Sequence, residues 1–140
     1  MPAAFIDPMR GRRIVVIDND ALVLESAGGL IRSWGCDVVT ARSGREAHDR
    51  HDDVRPDLVI ADFHLADGEK GVDAIALLRA RFDIRIPAFI VSGDIAEVPR
   101  RAAAAAGLLK LDKRMSLLKL RAMATHLILA REPARGAQSE

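Results

Sequence analysis

Five times along this chain a short apolar run closes on an acidic, hydroxyl or glycine residue and gives way to a segment of helical periodicity. Arg13-Ile14-Val15-Val16-Ile17 is rich in β-branched residues, the pattern of a strand buried on both faces of a parallel sheet. It stops at Asp18-Asn19-Asp20. Asp20 is placed to cap a helix over 21–34, where Leu22, Leu24, Leu30 and Ile31 supply apolar stripes and Gly35 the stop. A strand over 36–41, a helix over 43–50, a strand over 58–61 and a helix over 71–82 follow. The fourth strand, 86–91, is entered through Pro87 and breaks off at Ser92-Gly93-Asp94. A short helix then has Pro99 near its first turn and carries the run Ala102 to Ala106, small residues that let a helix lie close to a sheet, before Gly107 ends it. A fifth strand, 108–111, interrupted by Lys110, and a last helix over 115–130 complete the series. Strict alternation of this kind predicts an α/β domain with a parallel sheet and helices on both faces.

The 140 residues suit one domain, expected over 12–131, with a lead-in at 1–11 and a polar tail at 132–140. Apolar residues make up 49% and charged residues 29%, which excludes a disordered chain. No apolar stretch approaches the roughly 20 residues of a membrane span, and residues 1–13 lack the apolar core of a secretory leader. The expectation is a cytoplasmic protein without a membrane partner. With a net charge of +1, scattered Lys and Arg and 4% aromatic residues, direct nucleic-acid binding is not expected either. The single cysteine, Cys36, reads as a small buried hydrophobe.

Sheets of this class place their chemistry at the carboxyl ends of the strands. Strand one delivers Asp18 and Asn19 there, strand three Asp62, strand four Ser92, and strand five Lys110 or Lys113. A carboxylate accepts a phosphoryl group when a divalent cation and a cationic side chain neutralise the incoming charge. Asp18, Asp62 and the backbone carbonyl of His64 offer hard oxygen ligands for Mg²⁺, while Ser92 and the lysine suit phosphoryl oxygens.

Three segments, Ile14-Val15-Val16-Ile17-Asp18-Asn19-Asp20, Pro56-Asp57-Leu58-Val59-Ile60-Ala61-Asp62 and Pro87-Ala88-Phe89-Ile90-Val91-Ser92-Gly93, stand in the order and spacing of two-component receiver domains. The resemblance covers about residues 12–131. It implies a flavodoxin-like three-layer sandwich, with five parallel strands and five helices, in which Asp62 takes a phosphoryl group from a histidine of a sensor kinase or a histidine phosphotransfer protein. It also implies Mg²⁺ on Asp18, Asn19, Asp62 and the His64 carbonyl, with Ser92, Gly93 and Lys113 at the phosphate. Lys110 is the alternative lysine, but it falls inside the strand three residues after Gly107. Such a domain is a signalling module rather than an enzyme, beyond its own phosphoryl transfer and hydrolysis. A homodimer through the last two helices and fifth strand is a further expectation; that face carries Arg100, Arg101, Lys110 and Lys119.

Several residues depart from the receiver pattern. Asn19 replaces the second acidic ligand, which removes one negative charge and weakens metal binding. Arg114 stands where proline usually follows the lysine, and Lys110 stands where many receivers carry a switching Tyr or Phe. The loop 63–71 lacks the usual Met-Pro and is one residue longer. Together with residues 16–20 it looks like receivers at the ends of hybrid sensor kinases. Two other readings compete: a pseudo-receiver that binds a partner without phosphorylation, and a haloacid-dehalogenase-like phosphatase with Asp18 as nucleophile and Asp20 as acid and base. The second needs an acidic pair after the lysine, and none follows Lys113 before Glu132. The cluster His48, His51, Asp52 and Asp53 reads as a solvated helix end and His64 as a loop residue facing water or gating the site, while His126, on the last helix, has no suitable partner in sequence for a kinase-like phosphohistidine role.

Overall fold

A computed structural model describes residues 7–50, 53–113 and 117–131. Five strands, β1 (Arg13–Ile17), β2 (Asp37–Ala41), β3 (Leu58–Asp62), β4 (Ala88–Ser92) and β5 (Leu108–Asp112), form one parallel sheet in the order β2-β1-β3-β4-β5. The alternating helices are α1 (Ala21–Ser33), α2 (Gly44–Arg50), α3 (Gly71–Arg81), α4 (Arg100–Ala105) and α5 (Leu117–Arg131). This is the flavodoxin-like order expected from the sequence. Its reversal of winding between β1 and β3 opens a crevice at their carboxyl ends.

The sheet divides two apolar layers. On one side Val15, Ile17, Val59 and Ile90 pack with Ala74, Ile75 and Leu78 of α3 and Ala103 of α4. On the other, Ile14, Val16, Leu58 and Phe89 meet Leu24 and Ile31 of α1 and Ala124 and Ile128 of α5. The β-branched runs read from the sequence are buried on both faces for this reason. Burying each such side chain contributes about 1.5–3 kcal/mol.

Local chemistry sets the element ends. Asp20 caps α1 by accepting the Leu22 N–H at 2.9 Å, and Gly35, at φ 86°, turns the chain out of that helix. Ser43 lies outside α2 as its cap, its Oγ accepting the Glu46 N–H at 3.0 Å. The fourth strand starts later than the apolar run suggests, at Ala88, because Pro87 has no N–H for the ladder; Ile86 is nonetheless fully buried. It also ends one residue later, since Ser92 pairs with Asp112. The start of the last helix at 115 lies outside the described residues.

The lead-in is not all linker. Asp7 caps a turn through the Met9 N–H at 2.9 Å, Met9 is wholly buried, and Asp7 pairs with Arg121 of α5. The Met9 carbonyl also accepts the Cys36 thiol at 3.2 Å. Burial pushes that thiol up to about 11, in keeping with an inert cysteine.

Candidate functional site

The site lies at the β1/β3 switch point. Asp18 follows the last residue of β1, is 4% exposed, donates its backbone N–H to the Ala41 carbonyl at 3.0 Å and accepts the Asp20 N–H on Oδ1 at 2.9 Å. Asp62 ends β3 and is 8% exposed. Lys113 leaves β5 with its N–H donated to the Ser92 carbonyl at 3.0 Å, which directs its side chain back across the sheet edge. Its Nζ then reaches Asp62 Oδ2 at 2.9 Å and Asp18 Oδ2 at 3.7 Å. Three strands thus bring two buried carboxylates onto one ammonium.

Lys110 is not at this centre. Its Nζ donates to the Val98 carbonyl at 3.3 Å, on the α4 side of the sheet. The lysine beside the acids is therefore Lys113; Arg114, in the place of the missing proline, lies outside the described residues.

The electrostatics follow from burial. Removal from water raises the Asp18 carboxyl above its ordinary value, opposed by the Asp20 backbone hydrogen bond and reinforced by the neighbouring charge of Asp62. Lys113 is partly desolvated, which works against its charge, but the hydrogen bond to Asp62 and the charge of Asp18 outweigh this and hold it above the usual lysine value.

Other expected residues are placed less directly. Asn19 is exposed, and its backbone carbonyl accepts from the Arg42 guanidinium at 3.1 Å. Ser92 is 2% exposed, but its hydroxyl is engaged in its own loop, donating to the Asp94 carbonyl at 2.9 Å and accepting the Asp94 N–H at 3.2 Å. A Cβ built on Gly93 meets nothing within 4 Å, so close packing does not impose glycine there. Asp20 is committed to capping α1, which removes it from the acid–base role of the phosphatase reading. No group of three or more metal-ligating side chains occurs among the described residues, and His51 and Asp52 lie outside them.

Three features escape a reading by sequence. Gly71, the first residue of α3, lies so close to the acceptor strand that a Cβ there would stand 2.3 Å from the Asp62 carbonyl oxygen. A glycine opening a helix, where propensity disfavours it, was the available signal. Glu69 reaches across to accept the Gly44 N–H at 3.1 Å, fixing the longer β3–α3 loop against α2. His64 is exposed, as expected of a loop residue facing water, but it does not stand alone: its Nε2 lies 2.7 Å from Glu97 in the β4–α4 loop and its Nδ1 accepts from Lys70 at 3.0 Å. Since the Lys70 ammonium can only donate, Nδ1 is unprotonated and Nε2–H donates to Glu97. The backbone bridge between His64 and Lys70 uses the carbonyls of Phe63 and Glu69, leaving the His64 carbonyl outside it.

A cleft of about 420 Å³ runs from Asp18, Asp62 and Lys113 between α1 and α5, lined by Leu22, Val23 and Leu120 among others. Leu22 is 73% exposed at its rim.

Residues 14–125 match the family model of the response regulator receiver domain. The chain belongs to that family. It is 33% identical over 93 residues to the DNA-binding response regulator MtrA of Mycobacterium tuberculosis, a match covering 66% of this chain and 40% of MtrA. The MtrA of Mycobacterium leprae is 32% identical over 87 residues, 62% of this chain and 38% of the relative. The matches thus span about two fifths of these relatives. Among solved structures, the non-phosphorylated HemR receiver domain of Leptospira biflexa superposes with a TM-score of 0.73 at 20% identity, covering 88% of this chain and 98% of that one. The response regulator TrrA of Thermotoga maritima, solved in complex with Mg²⁺ and BeF, gives 0.70 at 21% identity, with 83% and 98% covered. The receiver fold and the signalling class of the domain are thereby shown. No described helix is long and apolar enough to cross a membrane.

Proposed function

We propose that Asp62 accepts a phosphoryl group from a phosphohistidine on a sensor kinase or histidine phosphotransfer protein. The observation that carries this reading is the Lys113 ammonium seated 2.9 Å from Asp62 and 3.7 Å from Asp18, both carboxylates being more than nine-tenths buried at the switch point. An Asp62 carboxylate oxygen attacks phosphorus, the bond from phosphorus to the donor imidazole nitrogen breaks, and the imidazole leaves. The product is an aspartyl phosphate. Lys113 orients the acceptor beforehand and pairs with a phosphoryl oxygen afterwards. Phosphohistidine donors are charged from ATP, which assigns the exchange to the cytoplasm.

The donor set fits Mg²⁺, because two buried acids share one ammonium and the His64 carbonyl is left outside the loop bridge. Asp18, Asp62, the His64 carbonyl and the Asn19 amide would hold the ion, which supplies positive charge against the phosphoryl oxygens. With Asn19 in place of an acid the affinity is lower than two adjacent carboxylates would give. The exposed Leu22 and the apolar wall of the cleft offer a resting place for the donor's helix beside the acceptor.

Ser92 is assigned to a phosphoryl oxygen, at the expense of both its bonds to Asp94. That exchange draws in the β4–α4 loop and alters the face made by α4, β5 and α5, with Lys110 in place of an aromatic switch. The functional unit is residues 12–131 with the turn at 7–11 packed on it. The form of the 63–71 loop and of residues 16–20 supports a terminal receiver of a hybrid kinase. The intact pairing of Asp62 with Lys113 favours phosphorylation over a pseudo-receiver.

The test is intact-mass measurement after incubation with acetyl phosphate and Mg²⁺. One phosphoryl group is expected on the wild type and none on Asp62→Ala. An unlabelled wild type, or a labelled Asp62→Ala, overturns the reading.

A further inference from the structure

The turn at 7–12 precedes β1, yet it is tied to both helices on one side of the sheet. Met9, wholly buried, joins the apolar layer of Ile14, Leu24, Ile31, Ala124 and Ile128. Its carbonyl accepts the Cys36 thiol at 3.2 Å and the Arg12 N–H at 3.1 Å, and the Gly11 N–H donates to the Gly35 carbonyl at 2.8 Å. On the α5 side, the Arg121 guanidinium is paired with Asp7 and lies 5.6 Å from the centre of the Trp34 ring. Acid, guanidinium and indole thus join the lead-in, α5 and the end of α1.

This junction borders the cleft that leads to the acceptor. Trp34 lies one helical turn beyond Leu30, and Arg121 follows Leu120; Leu30 and Leu120 both line the cleft. Since α1 starts beside the site at Asp20 and runs away from it, the lead-in fills the far end of the space between α1 and α5. Arg121 is the fifth residue of α5, and that helix begins four residues after Lys113. Fixing Arg121 therefore fixes the helix into which the chain passes from Lys113. The fastening can open, because the Asp7 side chain is 25% and that of Arg121 38% exposed.

We propose that Asp7 is a positioning residue: the lead-in is a clip that holds α5 against the end of α1 and so keeps Lys113 on Asp62, and displacing the chain at Asp7 slows phosphoryl acceptance. The slowing rests on the role proposed for Asp62. The clip itself does not.

Trp34, the chain's single tryptophan, reports on the clip. Asp7→Asn keeps an oxygen for the Met9 N–H and removes the charge that pairs with Arg121. Acrylamide quenching of Trp34 is expected to rise in this variant. By NMR, exchange of the Lys113 N–H should accelerate at least about fivefold relative to the Val59 N–H of β3. Labelling by acetyl phosphate in the presence of Mg²⁺ should slow at least about threefold. Arg121→Gln should match these losses, and the double variant should do no more than Arg121→Gln alone. Ser43→Ala, which removes the α2 cap at a comparable cost in stability, should leave quenching, the exchange ratio and labelling unchanged.

The clip is overturned by wild-type quenching and exchange in Asp7→Asn, by losses that add in the double variant, or by the same changes in Ser43→Ala. Equal labelling rates of wild type and Asp7→Asn overturn the link to Lys113. A wild type that takes no label overturns the role of Asp62 instead, and the clip then stands or falls on quenching and exchange.

Discussion

Replacing Lys113 with methionine keeps most of the side chain's length and removes the ammonium that lies 2.9 Å from Asp62 and 3.7 Å from Asp18. At the shorter distance two opposite charges attract by about 1.4 kcal/mol in water and about 6 kcal/mol at an effective dielectric of 20. With 38% of the lysine side chain open to solvent, screening holds the value toward the lower figure. Adding the weaker attraction to Asp18 brings the expected loss at pH 7 to about 2 kcal/mol. For a urea slope of roughly 1.5 kcal/mol/M the unfolding midpoint falls by about 1.3 M. The pH dependence separates this cause from lost packing. Asp18 is already raised by burial, and removal of the ammonium raises it further. A carboxyl raised on folding contributes stability below its unfolded value near 3.8 and loses it as the pH climbs through the folded one. Lys113, itself held above the usual lysine value, stays charged across this range. The gap between Lys113→Met and wild type should therefore be small at pH 4 and widen toward pH 7, as read by urea titration at each pH. An equal loss at both ends refutes the electrostatic account of the site.

Asp18→Asn removes a buried charge next to another and should stabilise the fold by about 1 kcal/mol at pH 7, with the gain fading as the pH falls toward 4; calorimetry at both pH values reads it. Gly71→Ala thrusts a methyl to 2.3 Å from the Asp62 carbonyl oxygen, so it should cost about 2–3 kcal/mol and slow labelling of Asp62 by acetyl phosphate. Asp20→Ala removes only the α1 cap, at about 1 kcal/mol or roughly 4 °C in Tm, and should leave labelling intact. Lost labelling in that folded variant would instead return Asp20 to the chemistry.

What the sequence reveals and what it hides divide along the reach of the interactions. β1, β3 and the acids that close them are legible because burial on both faces demands unbroken apolar runs, and the chain must turn polar where the sheet ends. The choice of Lys113 over Lys110 is legible too, since strand length and the Gly107 stop fix which residue clears the edge. The clasp from His64 to Glu97 joins residues 33 apart through two loops, and nothing local announces it. Met9 sits alone among polar residues and shows no period, although it is fully buried. The β4 boundary is displaced because hydrophobicity reports burial while the strand is defined by hydrogen bonds, and Ile86 has the first without the ladder.

The order of the sheet leaves β2 and β5 as its two open margins. Each carries charge along its length: Asp37 with its partner Arg13 at one margin, Lys110 and Asp112 at the other. A strand arriving from another molecule would have to bury these groups as it paired, and the right-handed twist of the sheet adds to the mismatch. A charged lysine at position 110 thus adds to the cost of strand-to-strand pairing at that margin, which an aromatic residue there would not.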